Sequence, residues 1–138
     1  MEAKFGSLAE LQATLDATPL HRWLGFRVEA FDTALGTLVL AAPSGGHAAR
    51  FDGAGQAHGG AIATLIDSCA TFACSSMLGR PVPTMNLRVD YLRPAAGEVM
   101  TATAHVRRSG RTAALVDVDV LSDGKLVAVG RCVQASGA

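Results

Sequence analysis

Apolar and polar residues repeat along this chain with two different periods, and the switch between them divides it into elements. Leu8, Leu11 and Leu15 recur at helical spacing. The string Ser7-Leu8-Ala9-Glu10 places Ser at an N-cap and Glu at N3, a capping box that opens a helix over residues 8–17. Pro19 starts a second helical turn that ends at Leu24 before Gly25. Residues 27–32 and 37–41 alternate as two strands around a turn near Gly36. Periodicity is then lost over residues 43–56, a glycine-rich stretch long enough for a functional loop. The helical period returns from Gly59 to Leu78 and stops at Gly79 and Pro81. Everything after that reads as β: residues 84–92, 99–106, 113–121 and 126–133. Asp123-Gly124 marks a type I′ hairpin before the last of these strands. Short turns between consecutive strands predict an antiparallel meander.

The long helix is unusual in composition. Ile62, Leu65, Ile66, Cys69, Phe72, Ala73 and Met77 form one apolar stripe, and Thr64, Asp67, Thr71 and Ser75 form a second, small and polar one. With a single charge on the polar side, the helix is expected to be buried almost all round, with the sheet wrapped about it.

The overall composition agrees with a packed core. Of 138 residues, 49% are apolar and 17% charged, which excludes a disordered chain, and the apolar excess predicts a buried subunit interface. One domain is expected over 1–138, with a helical segment over 7–24 and the core over 25–134. Lysine plus arginine equals aspartate plus glutamate at 12 each, so no global field calls for nucleic acid. Up to Gly79 there are four basic and seven acidic residues, and from Arg80 onward eight and five. That positive C-terminal surplus suits a small anionic ligand. The N-terminus has no secretory pattern, Asp67 interrupts the most apolar stretch, and the three cysteines lack metal spacing. A cytoplasmic protein with reduced thiols, no membrane span, no metal and no cofactor is expected.

Asp67 is the chemical focus. A carboxylate in an apolar helix is either tied to a partner such as Arg88 or kept for function. Thr71 lies one turn on and is placed to orient Asp67 or a water, unless it only bonds its own helix. His58-Gly59-Gly60 opens the helix, and two glycines leave its first N–H groups uncovered for an oxyanion. From Gly59 to Asp67 the helix rises about 12 Å, and His58 and Asp67 lie about 180° apart around it. One chain therefore cannot bring both features to one reacting carbon, whereas two chains related by a two-fold axis can.

Taken together, these features resemble a known family. A buried helix wrapped by an antiparallel sheet, the string HGGAIATLID, Tyr91-x-x-Pro94 and the closing Gly124-Lys125-Leu126-x-Ala128-x-Gly130 are similar to the PaaI-like acyl-CoA thioesterases. These form the 4-hydroxybenzoyl-CoA thioesterase superfamily. The resemblance runs from about Leu24 to Val133 and implies an α+β hotdog fold that hydrolyses acyl- or aryl-CoA as a homodimer or a tetramer of dimers. It implies Gly59 as the donor to the thioester carbonyl, Asp67 from the other chain as nucleophile or general base, and Thr84 or Thr71 as holder of the water. His58 would fix the loop, and Gly60 would adjoin the substrate. Gly110 and Arg111 fall where relatives contact the nucleotide end of coenzyme A.

Two positions depart from the family pattern. Asp52 stands where relatives have an amide near the substrate carbonyl. Thr84 falls, by simple alternation, on the face opposite Met85, so that reaching Asp67 needs a bulge near Pro83. A hydratase using His58 with Asp67, and an acyl-CoA-binding module without turnover, are the competing readings.

Overall fold

A computed structural model describes residues 5–137. Two short helices, α1 (Leu8–Asp16) and α2 (Pro19–Leu24), precede strands β1 (Arg27–Asp32) and β2 (Thr37–Pro43). The long helix α3 (Gly59–Leu78) follows, then β3 (Thr84–Tyr91), β4 (Val99–Ser109), β5 (Ala113–Ser122) and β6 (Lys125–Ala135). The N-cap forms as expected, with Ser7 Oγ accepting from the Glu10 N–H at 3.2 Å, while Glu10 Oε2 reaches one residue further back than the N-cap and accepts from the Gly6 N–H at 2.8 Å. Within the loop, Gly46–Ala48 makes a 3-10 turn.

The six strands form one antiparallel sheet in the order β1-β2-β4-β5-β6-β3, and with the single long helix against it this is the hotdog arrangement. The meander expected from the short turns holds only for β4, β5 and β6. β3 does not pair with β4, its successor; it crosses to the far edge and pairs with β6. A turn signal fixes a local reversal of direction, whereas the edge a strand joins depends on where the preceding helix delivers the chain.

The core lies between α3 and the sheet. Leu65, Ile66, Cys69, Ala70, Ala73 and Cys74 are fully buried against Leu38, Leu40, Met100, Ala102, Val116, Val118 and Val120. Each fully buried Leu or Val contributes about 1.5–3 kcal/mol. Small residues set the spacing, most sharply at Gly130, where a Cβ would stand 2.4 Å from Ile66 Cγ2. β6 therefore packs so close to α3 that the Ile66 side chain fills the place of a Cβ at Gly130. His21 is also buried and ties α2 to the core, with Nδ1 2.9 Å from Leu15 O and Nε2 3.0 Å from Ser68 Oγ. By length and composition α3 is apolar enough to cross a membrane, but it is the central helix of this fold. It is not buried all round, as the composition implied. Thr64, Asp67, Thr71 and Ser75 remain half-buried in the single chain, because the sheet covers the apolar stripe and leaves this one open.

Candidate active site

The chemistry-bearing residues gather at two places on α3. The first is its N-terminus. The loop before it is closed by the Ala49–Ala57 bridge and by the Arg50 N–H donating to Gln56 O at 2.9 Å. The His58 N–H donates to Ala48 O at 2.7 Å, which aims the chain into the helix. His58 Nδ1 then accepts from the Gly60 N–H at 2.8 Å, making His58 the N-cap. Gly60 therefore spends its N–H on the cap. Gly59, at the first helical position, has an N–H that the helix cannot satisfy, at the positive end of the dipole. Tyr91 stands over it: the hydroxyl donates to Gly59 O at 2.7 Å, and a Cβ on Gly59 would meet the ring at 3.4 Å. A cavity of about 300 Å³ opens here, lined in part by Arg50, Gln56, Gly59, Tyr91 and Arg93, with no carboxylate among its lining residues. Such a wall favours an anion or a polarised carbonyl.

The second place is the polar stripe further along the helix. Thr84 Oγ1 donates to Asp67 Oδ1 at 2.7 Å. The bulge that alternation required is present, since the β3–β6 register shifts between Thr84 and Asn86. Met85 is the extra residue and points out, 62% exposed. The hydroxyls of Thr71 and Thr84 share a hydrogen bond at 3.2 Å, so Thr71 orients the cluster and does not serve only its own helix. Arg88, considered above as a partner for Asp67, pairs instead with Asp90 at 3.4 Å.

Gln134 completes this cluster, and the sequence reading missed it. It is fully buried at the inward end of the row Ala128, Gly130, Cys132 on β6, and its carboxamide lies 3.2 Å from Thr84 Oγ1 and 3.5 Å from Thr71 Oγ1. With the carboxamide oxygen toward the threonines, Nε2 is buried without a partner. Thr84 has one proton and gives it to Asp67, so only a donor satisfies its remaining contact. A half-turn of the carboxamide supplies that donor and partners the buried nitrogen. The chain of donors then runs from Gln134 through Thr84 to Asp67, which fixes one carboxylate oxygen and leaves Oδ2 for another partner. An amide among small inward residues of a strand was the available signal.

The other residues singled out from the sequence stay apart from both places. Asp52 is exposed at the tip of the closed loop, beside Gly53. Gly110 and Arg111 sit in the β4–β5 turn, where Gly110 O accepts from Ser136 Oγ at 2.7 Å and Arg111 is exposed. The cysteines are buried and free. Burial pushes the Cys69 and Cys132 thiols up to about 12, and the nearby Asp67 carboxylate adds to the effect on Cys132. They stay neutral near pH 7 and are poor nucleophiles. Among the described residues no group of three His, Cys, Asp or Glu side chains is gathered to hold a metal.

The family model of the thioesterase superfamily matches residues 54–132. Acyl-coenzyme A thioesterase 13 of Mus musculus is 37% identical over 122 residues, spanning 77% of this chain and 84% of that protein. Acyl-coenzyme A thioesterase PaaI of Escherichia coli (strain K12) is 33% identical over 76 residues, 54% of each chain. The solved structure of the E. coli PaaI protein from the phenylacetic acid degradation operon superposes with a TM-score of 0.78 at 27% identity. It covers 94% of this chain and 95% of that one.

Proposed function

Since the chain belongs to the thioesterase superfamily, we propose that it is an acyl-CoA thioesterase acting on small or medium acyl- or aryl-CoA esters. The observation that carries the mechanism is the only acid on α3, Asp67, held at one oxygen by Thr84 and open at the other. Gly59 and Asp67 lie about 12 Å apart along one helix, so each active site takes Gly59 from one copy of the chain and Asp67 from a second.

The Gly59 N–H donates to the thioester carbonyl oxygen. Asp67 Oδ2 of the second copy accepts a proton from a water molecule whose oxygen attacks the carbonyl carbon. Charge develops on the carbonyl oxygen, next to the Gly59 N–H and the helix dipole. The tetrahedral species collapses with cleavage of the C–S bond. The thiolate leaves with the proton from Asp67, giving the carboxylic acid and coenzyme A. His58 is committed to capping α3, which argues against the hydratase reading, in which it would pair with Asp67.

The test is thiol release across a panel of acyl-CoA esters, with the products identified by mass. Free acid and free thiol are expected in equal amounts. Hydration of the acyl chain with the thioester intact, or tight binding without product, overturns the proposal.

Two smaller effects are expected, the first from the family resemblance and the second from the position of the side chain. Arg111→Ala is expected to raise KM for a CoA ester well above its effect on the matching pantetheine ester, which lacks the nucleotide. Equal effects on both would assign Arg111 to the turn and not to the ligand. Asp52→Asn is expected to change kcat/KM less than about threefold, under 1 kcal/mol, because the side chain stands exposed at a loop tip. A tenfold change in either direction would place Asp52 at the substrate.

A further inference from the structure

The Thr84 hydroxyl has three polar neighbours, and a hydroxyl can satisfy three, donating once and accepting twice. Asp67 Oδ1 lies 2.7 Å away, Thr71 Oγ1 3.2 Å and the Gln134 carboxamide 3.2 Å. An ionised carboxylate only accepts, so the Thr84 proton goes to Asp67 and both lone pairs of Thr84 are left for donors. The Gln134 amide, turned with its nitrogen toward the threonines, fills one of them, and the Thr71 hydroxyl fills the other. The second amide proton of Gln134 faces Thr71 Oγ1, 3.5 Å from the carboxamide. Every proton in the cluster then points toward Asp67. The amide oxygen takes the buried place that has no partner, the lesser loss, because a carbonyl short of a partner is tolerated better than an N–H. The support for this arrangement is rigid. Thr84 opposes Gln134 across the β3–β6 pair, Ala114 opposes it across the β5–β6 pair, and the neighbouring Ala135 N–H donates to Pro83 O at 2.8 Å. The Gln134 side chain is fully buried, so solvent does not compete for the amide.

We infer that Gln134 is a positioning residue for the hydrolysis: by donating to Thr84 it commits the Thr84 proton to Asp67 Oδ1 and leaves Oδ2 as the oxygen that takes a proton from water. The inference rests on the hydrolytic reading above. It also assigns Thr84 a narrower part. With its proton given to Asp67 and both lone pairs filled, Thr84 has no capacity left to hold the attacking water, which is therefore held by Asp67. Donors in series polarise one another, so the amide strengthens the hold of Thr84 on the carboxylate. Without the amide, one lone pair of Thr84 is empty, and its hydroxyl can turn to another partner and release Asp67 from its orientation. Gln134 touches neither the ester nor the water. Its loss is felt in the chemical step and hardly in substrate binding.

The test is a mutant cycle through Thr84, read by thiol release from an acyl-CoA ester. Gln134→Met keeps the length of the side chain and removes the amide. It is expected to lower kcat about tenfold with KM within about twofold, both alone and in Thr84→Ser, which keeps the hydroxyl. In Thr84→Val, already slowed by loss of the hydroxyl, the same change is expected to cost less than about twofold, because Gln134 has nothing left to act through. Unchanged thermal midpoints show that the variants are folded. An equal loss in all three backgrounds, or a loss confined to KM, would make Gln134 a packing residue and overturn the inference while the hydrolytic reading stands. A second readout uses the wild-type protein without substrate. With isotopically labelled glutamine, the side-chain amide signals of Gln134 are told apart from those of Gln12 and Gln56 by substituting each in turn. Nuclear Overhauser contacts are expected from the Gln134 amide protons to the side-chain protons of Thr84 and Thr71. Amide protons that see neither threonine would put the oxygen there and overturn the inference, even if every variant failed to fold. If the wild type hydrolyses no ester, the hydrolytic reading fails by itself, and these contacts still decide which way the amide donates.

Discussion

Asp67→Asn is expected to lower kcat for acyl-CoA hydrolysis by at least a hundredfold while leaving the fold intact. Asparagine is isosteric with aspartate and keeps an oxygen that can accept from the Thr84 hydroxyl at 2.7 Å, so the cluster of Thr71, Thr84 and Gln134 has no reason to rearrange. What is lost is the ability to take a proton from water. Positioned general bases contribute about 10²–10⁴ in rate, and no other carboxylate stands on α3 to substitute. KM should change little, because the carboxamide still fits beside the thioester. The measurements are kcat by thiol release and the thermal midpoint of the purified variant. A variant with an unchanged midpoint that keeps more than about a tenth of wild-type kcat, a deficit under about 1.4 kcal/mol, would remove Asp67 from the chemistry.

Mixing two inactive variants is expected to restore activity. Gly59→Val places a branched side chain between Tyr91 and the helix N-terminus, where even a single Cβ comes to 3.4 Å from the ring. The backbone there needs no left-handed conformation, so the variant should fold, but a substrate oxygen can no longer approach the N–H. Alone, Gly59→Val and Asp67→Asn each spoil both sites of a two-fold dimer. In a hybrid dimer one site collects both substitutions and the other collects neither. Random exchange of equal amounts then returns about a quarter of the wild-type sites, since half the dimers are hybrids and each has one intact site. Native mass spectrometry verifies the exchange and the thiol assay reads the activity. Proven hybrids that stay inactive would show that Gly59 and Asp67 do not serve one site across two chains.

The two predictions depend on residues whose importance differed in how far it could be read from the chain. His58-Gly59-Gly60 and Asp67 were visible because both are local anomalies. Two glycines at a helix start and one carboxylate in an otherwise uncharged helix each break the pattern around them. Thr84 was half visible. Its residue type suited a hydroxyl donor, but plain alternation put it on the wrong face, and only the register shift between Thr84 and Asn86 turns it to Asp67. Gln134 was not read at all. Gln134 lies 67 residues along the chain from Asp67 (134 − 67), and its role appears only once β6 and β3 are paired at the edge of the sheet.

By itself the sequence determined the elements and their apolar faces. The N-cap forms at Ser7, α3 occupies Gly59–Leu78 with the predicted stripe packed into or against the core, and Asp123-Gly124 turns with both residues at positive φ. Each of these is set by interactions within a few residues: a side chain reaching its own helix start, a period that gathers apolar groups on one side, a turn that only certain residues adopt cheaply. The tertiary structure alone decided that β3 leaves the meander for the far edge, that the polar stripe of α3 stays open, and that Gln134, Thr84, Thr71 and Asp67 meet. Those outcomes depend on strand partners far apart in the chain. Their pairing is chosen by the summed packing of α3 against the whole sheet, including the close approach of Gly130 to Ile66, and no short window of sequence contains that sum.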